Sequence, residues 1–333
     1  MARGVVLSIA VALVLTHVIG VAQYASASAL VIDDSYTPTS RLQRYIKKSP
    51  QLRQPELLMQ QGQRLLFDQK YKQVEQRELH LDMFLPTPER HNQQSIVMIH
   101  GGGWRAGHRS HFYPLANLLA QRGYTVVVPE YRLTPEARYP AAIEDLFDAL
   151  IWLQQQSQRF SLKADGITVL GGSSGGHLAA LLGYSAASGA FARDQQLTAA
   201  IKAVVDLDGV LDLTEPALLE TERANDPQAP LPAWLGGTYQ QAPAIWRQAS
   251  PLHYLSDKAP ASMVISSGAE RFTIGRIKLA AHYQKMGINF RYQQLPNVIH
   301  TFWLFDPYVT QLAPMIGQFL ESLGPVERLP VSK

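Results

Sequence analysis

The chain has 333 residues, 46% hydrophobic and 17% charged, a balance that suits a globular protein with one large α/β domain. With no cysteine it has no structural disulfide, thiolate metal site or lipid-modified cysteine. The net charge of +3 is spread along the chain, and no basic patch is interleaved with aromatics, which excludes a nucleic-acid partner.

Residues 1–29 have the pattern of a signal peptide: the basic start MAR, the charge-free apolar run GVVLSIAVALVLTHVIGVA, and QYASASA with small residues in the A-x-A pattern. Cleavage is expected after Ala27 or Ala29, giving a periplasmic or secreted protein with no stable membrane insertion. The alternative is an uncleaved N-terminal membrane anchor, since the apolar run is nearly long enough to span a bilayer. Residues 30–75 are polar and Gln- and Arg-rich, and LQRYIKK and PELLMQQGQRLLFDQKY predict a helical arm or cap.

From residue 76 to about 325 strands and helices alternate. VEQRELHLDMFLP has the period of a half-buried edge strand, and SIVMIH and YTVVVPEY are short apolar strands. Helices are predicted over FYPLANLLAQRG and PAAIEDLFDALIWLQQQ, the second starting at Pro140. ITVL, IKAVVDLDG, ASMVISSG and NFRYQQLP continue the strands, with helices over HLAALLGYSAA, IGRIKLAAHYQKMG and VTQLAPMIGQFLESLG. Residues 213–249 break this rhythm and are expected to be an insertion over the sheet. The alternation predicts an α/β protein with a doubly wound, mainly parallel sheet covered on both faces, whose reactive groups gather at the carboxyl ends of the strands.

Two glycine-rich turns carry the chemistry. VLGGSSGGHLAA places G-x-S-x-G over Gly172–Gly176, which centres Ser174, makes it the candidate nucleophile and leaves Ser173 as a variable position. After SIVMI comes His100-Gly101-Gly102-Gly103-Trp104, where consecutive glycines can turn backbone N–H groups toward a substrate oxygen. The candidate oxyanion donors are the amides of Gly101, Gly102 and Gly175. A phosphate-cradling loop is disfavoured, because the lysine and spacing of that motif are absent. No clustered ligand motif calls for a metal or an organic cofactor.

HGGGW, VVVPEYRLTPEARYPAAIEDLFDALIWL and VLGGSSGGHLAA, in that order, resemble the hormone-sensitive-lipase-like and feruloyl-esterase-like carboxylesterases of the α/β-hydrolase fold, over about residues 80–322. The resemblance implies that Ser174 is the nucleophile, that Gly101 and Gly102 line the oxyanion hole, and that the base is the histidine of QQLPNVIHTFWLF, His300. His100, His177 and Asp212 match structural positions. Such esterases carry their acid three residues after the glycine that follows ASMVIS, but here that count from Gly268 reaches Arg271. Counting back from Gly287 reaches Glu270 instead, as though the turn had lost one residue. Glu270 is therefore the first candidate, Asp208 at the end of IKAVVDLD the alternative, and a site with no acid the third possibility. Trp104, Tyr131, Phe302 and Trp303 are candidate pocket residues. The expected function is an exported serine carboxylesterase acting on small-molecule esters. The alternatives are a peptidase of the same fold and a non-catalytic binding protein.

Overall fold

Five strands in the middle of the chain are so apolar that their buried side chains do not alternate, which is what a sheet covered on both faces requires. The computed structural model describes residues 33, 35–190, 197 and 200–324, so the expected leader, residues 1–29, and its expected cleavage site lie outside the described residues. In chain order the strands are β1 (Arg64–Val74), β2 (Arg77–Leu85), β3 (Ser95–Ile99), β4 (Thr125–Pro129), β5 (Ile167–Gly172), β6 (Ile201–Leu207), β7 (Ala261–Ser266) and β8 (Phe290–Gln294). They form one sheet in the order β1-β2-β4-β3-β5-β6-β7-β8. β2 is antiparallel to β1 and to β4, and every other pairing is parallel.

Helices cover both faces. On one, α3 (Ala141–Gln155), α4 (Ser174–Ser188) and α8 (Arg276–Met286) pack Leu146, Leu150, Leu181 and Leu279 onto the sheet. On the other, α2 (Tyr113–Gln121) and α9 (Tyr308–Ser322) bury Leu115, Leu119, Leu312 and Ile316. The order reverses at β3 and β5: the chain leaves β3 toward β4 on one side and returns to β5 on the other. The carboxyl ends of β3 and β5 therefore flank a crevice, the place where this class of sheet holds its ligands. Both glycine-rich turns lie there.

Two regions differ from expectation. Residues 64–74, expected as the end of a helix, are the edge strand β1, joined to β2 by a hairpin with Glu75 at φ 51°. Leu65, Leu66, Phe67 and Tyr71 suit a strand as well as a helical stripe, and pairing with β2 satisfies the backbone over the whole length. Among the described residues of the arm only α1 (Pro38–Tyr45), capped by Thr37, is helical. The insertion holds three short helices, α5 (Pro216–Thr221), α6 (Pro230–Leu235) and α7 (Pro243–Gln248), each with proline in its first turn, where the missing N–H is not needed. Trp234 and Trp246 pin these helices into the core. Among the described residues no helix is long and apolar enough to cross a membrane.

Candidate active site

β5 ends at Gly172 and α4 begins at Ser174, so the residue at the turn itself is Ser173. Its φ and ψ are 56° and −124°, a conformation that costs about 1–3 kcal/mol and persists only where the surroundings enforce it. Here the Ser173 N–H donates to Leu207 O at 2.8 Å. The glycines around it explain the sharpness: a Cβ on Gly171 would lie 2.0 Å from Gly175 O. These two residues flank Ser173, and Gly171-x-Ser173-x-Gly175 is a second, overlapping reading of the same motif. The turn is thus built around Ser173.

This corrects the sequence expectation for Ser174. As the first residue of α4, Ser174 projects in a different direction from the turn residue before it. It is buried, and its Oγ accepts the Gly103 N–H at 2.9 Å. His300 Nε2 lies instead 2.9 Å from Ser173 Oγ.

The acid is corrected in the same way. His300 Nδ1 lies 3.0 Å from Asp208 Oδ2, while the other carboxylate oxygen accepts the Ser267 N–H at 2.9 Å. Asp208 is fully buried just past β6, and its N–H donates to Ile265 O. Glu270 is exposed in a one-turn 3-10 segment, Glu270–Phe272, and among the described residues makes no hydrogen bond or ion pair with His300. Glu270 falls outside the crevice, and the Phe272 ring lies over the imidazole, with ring centroids 3.3 Å apart. β6 lies directly beside β5, which brings its carboxylate within reach.

Burial holds His300 below its ordinary pKa, opposed by the hydrogen bond and charge of Asp208. The ring is therefore neutral at pH 7 and able to accept a proton. Asp206, two residues before Asp208, was not foreseen as part of the site. It is fully buried, with Oδ1 accepting the Gly209 N–H at 2.7 Å and Oδ2 without a partner. Burial, helped by the neighbouring Asp208 charge, pushes its pKa well up. Its only sequence signal is an acid inside the apolar run that follows Lys202 in β6.

The loop after β3 lies against this turn. A Cβ on Gly101 would sit 2.4 Å from Gly172 O and 3.2 Å from Ser173 Cβ, so only a bare backbone approaches this closely. Gly102 adopts φ 138°. Gly175 was expected as the amide following the nucleophile, but with Ser173 at the turn that position is Ser174, and Gly175 packs beneath the end of β3.

The remaining candidates each have their own partners in the core. His100 stacks on Tyr131 at 4.5 Å, and burial pushes its pKa down to about 3. Trp104 Nε1 donates to His177 Nδ1 at 3.3 Å, so His177 Nε2 carries the proton given to Ala249 O at 2.7 Å. Burial pushes that imidazole down to about 4. Trp303 meets His300 edge-on at 5.3 Å, whereas Phe302 is core. Asp212 caps the following turn through Thr214 and pairs with Lys278.

Comparison with known proteins agrees with this architecture. The BD-FAE family model matches residues 81–273. Esterase LipQ of Mycobacterium tuberculosis is 28% identical over 62% of this chain and 50% of its own length, so the match spans half of that relative. The ethyl acetate hydrolase of Pseudomonas putida is 29% identical over 69% of this chain and 72% of its own. Among solved structures, a truncated carbohydrate esterase from gut microbiota superposes with a TM-score of 0.64 at 19% identity, covering 81% of this chain and all of that one. The fold is the α/β-hydrolase fold.

Proposed function

The chain belongs to the BD-FAE family, and from that premise and the hydrogen-bonded line Ser173–His300–Asp208 we propose that it hydrolyses carboxylic esters of small molecules through an acyl-enzyme on Ser173. The observation that carries this reading is the line itself: one imidazole between a strained serine hydroxyl at 2.9 Å and a buried carboxylate at 3.0 Å.

In the acylation half, Ser173 Oγ bonds to the ester carbonyl carbon as its proton passes to His300 Nε2. The carbonyl π pair moves to oxygen, facing the amides of Ser174, Gly101 and Gly102. One such donor is worth roughly 3 kcal/mol in the transition state. Collapse breaks the ester C–O bond, and the Nε2 proton leaves with the alcohol. Water repeats the sequence, with His300 again as base, and releases the acid. Asp208 holds Nδ1–H, which aims Nε2 at the serine. With Asp208 in that place, the shortened turn after β7 no longer argues for lost chemistry.

A fluorophosphonate probe tests the assignment. The adduct is expected on Ser173 by fragment mass spectrometry; Ser173→Ala should abolish labelling and lower kcat on an aryl ester by on the order of 10⁵-fold or more. Ser174→Ala should remain labelled. Labelling that survives Ser173→Ala and disappears in Ser174→Ala overturns the reading. The leader supports a further proposal, export with cutting after Ala27 or Ala29. The intact mass of protein recovered outside the cytoplasm checks it, and a mass that retains residues 1–29 refutes it.

A further inference from the structure

The turn after β7 does not supply the carboxylate that meets His300, but it lies against the site. Its backbone supplies the Ser267 N–H to Asp208, and three residues past Ala269 it lays the Phe272 ring flat on His300, with 3.3 Å between centroids and 11° between planes. The turn is braced on both sides of that ring. Phe272 N–H donates to Ala269 O at 3.0 Å and Thr273 N–H to Glu270 O at 2.9 Å, and Ile274 O accepts from Leu211 N–H at 2.9 Å. With the imidazole on one face, the Arg271 guanidinium carbon, 4.2 Å from the ring centroid, must lie over the other.

Both working hydrogen bonds of His300 lie in the plane of its ring, on opposite edges. Each tolerates tilting on its own, and two alone leave the ring free to rock about the line joining them. A parallel ring in contact removes that freedom. Trp303, meeting the imidazole at 86°, restrains it in a different direction. We propose that Phe272 is a positioning residue for proton transfer: its face holds the imidazole in the one plane that keeps Nδ1 on Asp208 and Nε2 on Ser173. The inference rests on the catalytic reading above, and it assigns a role to the turn after β7.

The test is a pair of variants in the full-length protein. Phe272→Leu keeps the apolar volume and removes the flat face; kcat on an aryl ester is expected to fall about tenfold while KM stays within about twofold. Phe272→Tyr restores the face and should hold kcat within about threefold of wild type. A readout independent of turnover is the His300 ring-proton resonance, which the stacked ring shifts upfield in wild type and in Phe272→Tyr but not in Phe272→Leu. If Ser173→Ala is inactive and Phe272→Leu matches wild type in kcat, the inference fails while the catalytic reading stands. Equal losses of kcat and thermal stability in both variants reduce Phe272 to a packing residue and overturn it as well. An active Ser173→Ala defeats the catalytic reading itself.

Discussion

The ends of β6 and β7 lie side by side, and each turn beyond them offers a carboxylate; one is buried with both oxygens engaged, the other points into water. Asp208 accepts from Ser267 N–H and from His300, whereas Glu270 rides on an exposed 3-10 turn. The difference shows that the acid's role follows from where donors converge more than from a count of residues along a turn. The β7 turn supports its neighbour with a main-chain donor for Asp208 and a ring for His300.

The largest way to break this comparison is to neutralise each carboxylate in turn. Asp208→Asn loses control of the His300 tautomer, and kcat on an aryl ester should fall by about 10⁴-fold. Glu270→Gln should stay within about twofold, since an exposed charge contributes little. The reverse ranking would restore the acid to the β7 turn. A smaller effect separates the two acids of β6. Asp206 has its folded pKa raised by burial, so the stability it contributes is fully present below about pH 3.9, its ordinary value, and is lost as pH rises toward the folded pKa. Asp206→Asn should therefore flatten the fall of Tm as pH rises above that ordinary value, by a few degrees, read by calorimetry. A wild-type Tm no more sensitive to pH than the variant's would mean that Asp206 is charged.

Much of this was legible beforehand. β3 to β7 are apolar runs because both faces are covered, and the turns after β3 and β5 announce themselves by glycines that no other residue can replace. The choice between the serines was not legible, because Gly171–Gly175 and Gly172–Gly176 satisfy the same pattern. What separates them is the point where β5 stops and α4 starts, a matter of a single residue set by the pairing of Gly172 with Leu207 on β6. The acid escaped for a related reason: Glu270 is near in sequence register but far in direction, and Asp208 reaches the imidazole only because β6 is the strand next to β5. β1 was read as helix because short apolar spacings fit both periods, and only its hairpin partner decides between them.

The contacts of Trp104 carry one more consequence. Its indole stacks on Trp234 of the insertion at 5.0 Å and donates to His177 of α4, which in turn holds Ala249 at the far end of the insertion. Insertion, glycine loop and α4 thus share a single aromatic knot. Losing that one indole would therefore loosen all three segments at once.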